Sequence, residues 1–174
     1  MSKTALTFIF KFILLTLAQA VIFNNIVLFN TVVPFVFIYI IISMPITWST
    51  NVSLTIGFLA GVAIDVFSNT QGVNALACTL LAFVRKPVFH LYVQPDDDLS
   101  GLKPSQATMD SGVFMKYAST MTLIYCTCVF GIDAFAVFNP MRMLMQIVGS
   151  TIFTVIIIYA LDSIFTRQPH EKRL

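Results

Sequence analysis

Two carboxylates sit inside apolar runs. Asp65 lies in GFLAGVAIDVFSN (57–69), and Asp162 lies in IIIYALDSIF (156–165). Asp65 is the only charged residue between Lys11 and Arg85. An acid in such a context has three uses: a proton or ion site, half of an aspartyl protease dyad, or a polar tie between helices. A dyad needs two carboxylates close enough to share one proton. The layout below puts the two acids at opposite membrane depths, which excludes that pairing. A charged Asp near mid-membrane costs about 2.5–3.5 kcal/mol on insertion scales, so Asp65 is expected to face protein. Ser68, Asn69, Gln71, Asn74 and Arg142 are its candidate companions, and an Asp65–Arg142 pair is the simplest solution. Asp133 competes for the same Arg142. The structural reading, Asp65 as a packing device, stands beside the proton- or ion-site reading.

Other reactive residue types give less. Cys78, Cys126 and Cys128 are odd in number, lack zinc-ligand spacing and read as small apolar fillers. Asp96-Asp97-Asp98 reads as a solvated loop and His90 as an interface residue. Arg85-Lys86-Pro87 reads as a cytoplasmic anchor beside anionic head groups. There is no phosphate-binding glycine loop, no Ser/His/Asp set and no metal constellation in the sequence. The expectation is a protein without enzymatic activity, metal or cofactor. No basic patch interleaved with aromatics points to nucleic acid.

The elements that would hold Asp65 follow from composition. Of the 174 residues 57% are hydrophobic and 10% charged, against about 25% charged in a soluble domain. Lipid is the matching solvent. The chain reads as one all-α polytopic membrane domain over 1–174, with six transmembrane helices at about 4–22, 32–45, 52–68, 73–92, 112–132 and 141–165. Met1–Lys3, an apolar run and Ala18-Gln19-Ala20 imitate a secretory signal, but Lys11 interrupts that run and favours a retained span with its ammonium snorkelling toward the nearer interface. NNIVLFNT (24–31), ITWSTN (46–51) and SNTQG (68–72) are turns, and Pro87 is a candidate break in the fourth span. Residues 94–111 form a polar loop, Asn139-Pro140 caps the last span, and 166–174 is a polar tail. Of 10 Lys and Arg residues, all but Arg142 fall on the side shared by both termini. That bias assigns the termini to the cytoplasm.

Within this layout Gly57, Gly61 and Asp65 recur every four residues and share a helix sector. Gly57-x-x-x-Gly61 permits close helix approach. Gly72, Ala75 and Thr79 form the expected matching face of the fourth span, joined to the third by a short turn.

GFLAGVAIDVFSNTQGVNALA (57–77) resembles the signature segment of the rod shape-determining protein MreD family, in a version similar to those of Bacteroidetes. The match rests on Gly61, Asp65, Gly72, Ala75 and Ala77, with Gln19, Pro34, Met44-Pro45 and VRKPVF (84–89) extending it. Asn74 departs from it, where a histidine is often found. The resemblance implies a fold similar to the S components of energy-coupling-factor transporters and a location in the bacterial inner membrane. It implies a non-catalytic scaffold of the lateral cell-wall elongation complex. The partners would be an MreC-like protein and, through it, MreB, a RodA-type glycosyltransferase and a class B penicillin-binding transpeptidase, with membrane lipid around the helices. Gly57, Gly61, Asp65, Gly72, Asn74, Ala75 and Thr79 would be the packing or partner interface. The alternative is a vitamin-binding S component. Such proteins dock through Ala-x-x-x-Ala in the first span, and TALTFIFKFILLTLAQAV (4–21) lacks it.

Overall fold

Ser49 opens a long apolar helix with its hydroxyl accepting from Val52 N at 3.4 Å, the usual answer to an unsatisfied first-turn amide. Asn69 closes that helix in the left-handed region at φ 54°, which Asn tolerates better than most residues. In this computed structural model the described residues are 3–22, 32–93, 103–106, 108–133 and 140–165. Their helices are α1 (Lys3–Val21), a 3₁₀ turn (Val36–Ile38), α2 (Tyr39–Ile42), α3 (Thr50–Ser68), α4 (Val73–Tyr92), α5 (Ser111–Asp133) and α6 (Pro140–Phe165). No β-strand occurs among the described residues.

Helices α3 to α6 each carry a segment long and apolar enough to cross a membrane. In α1 the residues whose side chains are described contribute the apolar stretch Phe8–Val21. Outward faces are apolar as well: Phe58, Val66, Phe83, Leu144 and Ile152 are all exposed, which suits acyl chains rather than water. Pro87 does not break α4, which continues to Tyr92; neighbouring helices stabilise a proline-containing span. Pro140 opens α6, the position where its missing N–H is harmless. The turn over 24–31, Asp96–Asp98, the Asn139 cap and the tail from 166 lie outside the described residues.

The expected second span differs from the sequence reading. Residues 32–45 do not form a transmembrane helix. They make an irregular passage with only the 3₁₀ turn and the four-residue α2, and they run through the centre of the molecule. Phe37, Ile38, Ile41, Ile42 and Met44 are 0% exposed. Irregular backbone is tolerable at membrane depth only where protein surrounds it and meets its polar groups. Side chains from other helices do this here. Gln19 of α1 donates from Nε2 to Pro34 O at 2.9 Å and accepts from Val36 N at 2.8 Å. Val33 N donates to Ser150 Oγ at 3.1 Å, and Phe35 N to Thr154 Oγ1 at 3.0 Å, both on α6. The run is rich in β-branched and aromatic residues, which favour helix weakly, and Pro45 ends it.

The passage is antiparallel to α1 and α3 and runs alongside α6. It defines two ends of the molecule. The upper end carries the α3–α4 turn, and the lower end carries Ser49, Arg85 and Lys103.

Candidate functional site

At the upper end Asp65 joins α3 to α4. Its carboxylate accepts from Asn74 N at 3.1 Å through Oδ1 and from Ala75 N at 2.8 Å through Oδ2. These are second- and third-position amides of α4, which an N-cap side chain would ordinarily satisfy. The α4 cap residue is Gly72, at φ 80° and without a side chain, so the acid comes from the preceding helix instead. The negative charge also sits at the positive end of the α4 dipole. Oδ1 further accepts from the Thr70 hydroxyl and from Asn74 Nδ2 at 3.0 Å. The carbonyl of Asp65 accepts from Asn69 N and Thr70 N, closing α3. One residue therefore ends one helix and begins the next. Asn74 carries the network onward, accepting at Oδ1 from the Tyr125 hydroxyl of α5.

The cation expected at Asp65 does not supply these bonds. Arg142 is exposed near the start of α6, and the donors on the carboxylate come from Thr70, Asn74 and Ala75. Four hydrogen bonds and a helix terminus stabilise the carboxylate without a buried ion pair, whose desolvation is costly.

Below this knot α3 and α4 approach through small residues. A Cβ on Gly61 would stand 2.4 Å from Ala75 Cα and 2.5 Å from Asn74 O, and one on Gly57 would stand 2.9 Å from Ala82 Cβ and from Cys78 O. The face of α4 is therefore Ala75, Cys78 and Ala82 rather than Gly72, Ala75 and Thr79. Gly72 is exposed in the turn, and Thr79 bonds back to Ala75 O at 2.7 Å. Gly57, Gly61, Asp65, Asn74 and Ala75 are all buried. They hold this chain's own hairpin together and offer no surface to another protein.

Asp162 makes a second knot at the lower end. It is 0% exposed and accepts from the Tyr39 hydroxyl at 2.7 Å and from Gln106 N at 2.7 Å. Gln106 Nε2 also donates to Tyr159 O at 2.8 Å, so the segment before α5 is latched onto α6. Lys11 turns its ammonium over the Phe165 ring, 4.5 Å from the centroid. Half-buried Lys11 thus holds its ammonium at the lower end of the molecule in a cation–π contact.

Arg85 also departs from its expected place. It is 0% exposed, and its guanidinium donates to Met44 O at 2.6 Å, Pro45 O at 3.0 Å and Ser53 Oγ at 3.4 Å. It terminates the central passage rather than meeting head groups; half-buried Lys86 is the cation left near the surface. A planar, forked donor suits two successive carbonyls. Sequence reasoning missed Gln19, Thr154 and Tyr125 as polar partners. Each is a lone polar or phenolic side chain in an apolar run, and that was the available signal.

A cavity of about 390 Å³ opens beside the Asp65 knot. Phe35, Phe67 and Phe130 form part of its wall, and Thr70 and Asn74 form its polar corner. No group of three His, Cys, Asp or Glu residues suited to a metal occurs among the described residues.

Compared with family models, with curated proteins and with solved structures, the chain finds no match in any of the three.

Proposed function

We propose that this chain is a non-catalytic scaffold in a bacterial inner membrane, acting with the rod-shape elongation machinery that its α3–α4 segment resembles. The observation that carries the reading is the use made of the two interior acids. Asp65 is engaged as the N-terminal cap of α4, and Asp162 as the latch for Gln106 and Tyr39. Both fix helix positions. A rigid bundle with apolar outer faces is what docking against other transmembrane helices requires.

Six crossings and cytoplasmic termini belong to the same proposal. The central passage follows α6 from the level of Ser150 to that of Asp162, which supports counting it as a crossing without a helix. Lys11, Arg85, Lys86 and Lys103 lie toward the lower end and Arg142 toward the upper, so the positive-inside rule makes the lower end cytoplasmic. Partners are an MreC-like protein and, through it, MreB and the peptidoglycan synthases. Since the Gly57/Gly61 face is occupied within the chain, the partner surface is sought on the exposed faces of α1 and α6.

Depletion in the host is the direct test. Loss of rod shape, with co-purification of an MreC-like protein, is expected. Normal shape with a vitamin auxotrophy would replace the scaffold by a transporter S component.

A further inference from the structure

The upper cavity goes beyond a scaffold's needs and stands independently of that reading. Its volume, about 390 Å³, falls in the range of small-molecule sites, roughly 300–1,000 Å³. One wall is the irregular backbone at Val33 and Phe35, and another is the end of the α3–α4 hairpin. Non-helical backbone at membrane depth is found where it is enclosed by protein or where it borders a cavity. Val33–Phe35 does both.

The lining decides the sign of charge. Among the described residues it contains no Lys, Arg or His. Three phenylalanine rings, Phe35, Phe67 and Phe130, line the space, and an aromatic face turned to a cation attracts it. Behind Thr70 and Asn74 lies the Asp65 carboxylate, which both of them contact. Asp65 itself is not part of the lining, so its charge acts on the cavity through Thr70 and Asn74 rather than by contact. In a low-dielectric setting such an arrangement discriminates strongly between opposite charges. Much of the remaining surface is aliphatic, supplied by residues such as Ile64 and Val73.

We propose that this cavity is a binding site for a primary ammonium group carried on an apolar body, with the ammonium directed to the Thr70–Asn74 corner and the body against Phe35, Phe67 and Phe130. The ammonium could belong to an aminophospholipid head group or to a free amphiphilic amine, and the test separates these sources.

Purified protein in dodecylmaltoside, a neutral detergent without ammonium, is titrated with phenylbutylammonium and with phenylbutyrate, a pair of similar bodies and opposite charge. The cation is expected to bind at least tenfold more tightly than the carboxylate. Asp65→Asn is expected to reduce that preference about tenfold. Because Asp65 also caps α4, a second variant leaves the carboxylate untouched: Ala20→Phe fills the cavity from α1 and is expected to abolish binding of the cation. Added lysophosphatidylethanolamine that competes with the probe, where lysophosphatidylglycerol does not, identifies a lipid head group; competition by neither identifies a free amine. Equal affinity for the two probes, no binding of the cation, or undiminished binding in folded Ala20→Phe protein would overturn the proposal.

Discussion

Asp65 is worth more to this protein as an acceptor than as a charge. Removing it by Asp65→Ala orphans the buried amides of Asn74 and Ala75 and leaves the Asn74 side-chain amide only its bond to Thr70. Buried unsatisfied donors cost about 1–3 kcal/mol each, and lost caps about 1 kcal/mol. The expected destabilisation is on the order of 3 kcal/mol, read as a lowered unfolding midpoint in detergent. Asp65→Asn keeps an acceptor oxygen and should lose about half as much. Equal stability of Asp65→Ala and the parent would refute the capping role. The need of Asp65 for protein neighbours was legible from the apolar run around it. Among its donors the Asn74 side chain was legible as a companion, but the two amides were not, because backbone amides have no letter in a sequence: any residue at 74 or 75 other than proline carries one. The sequence pointed to a visible cation, Arg142, whereas the fold uses two amides, a threonine and an asparagine.

Between elements, the decisive contacts are backbone against backbone. Gly61→Ala places a methyl 2.4 Å from Ala75 Cα, and neither helix can yield locally. We expect a loss of about 2–3 kcal/mol, the upper range for overpacking. Gly57→Ala meets a side-chain methyl and one carbonyl and should cost less. An inverted order would show that the hairpin pivots at the turn. The glycine periodicity made the face of α3 readable, but its counterpart on α4 shifted from Thr79 to Cys78 and Ala82. Thr79 can satisfy its hydroxyl on its own helix, so it does not need the interface. The central passage was unreadable for a different reason. An apolar run over 32–45 looks alike as a buried helix or as buried irregular chain, and the difference resides in Gln19, Ser150 and Thr154. Ser150→Ala with Thr154→Val removes both α6 acceptors and leaves two passage amides unpaired. That double change should lower stability by about 2–4 kcal/mol, checked against each single variant.

For the whole molecule, charge placement and the lower latch give separate tests. Lys103→Cys should react with an impermeant thiol reagent only from the cytoplasmic side, and Arg142→Cys only from the opposite side, in membranes of right-side-out and inverted orientation. Labelling of both from one side would reject the proposed topology. Asp162→Ala removes the acceptor for Gln106 N and Tyr39 OH. It should expose the segment around 103–110 to limited proteolysis several-fold faster, while the Asp65 knot at the other end stays intact.

The passage through the centre also imposes an order of events during synthesis. Val33 and Phe35 find their hydrogen-bond acceptors 117 and 119 residues later in the chain, a delay of roughly 6–25 s at about 5–20 residues per second. Until α6 emerges, this stretch must wait with amides unmet, either held back in water or shielded by whatever escorts the nascent chain into the bilayer. Helix α6 is thus the element that lets the central passage become permanent.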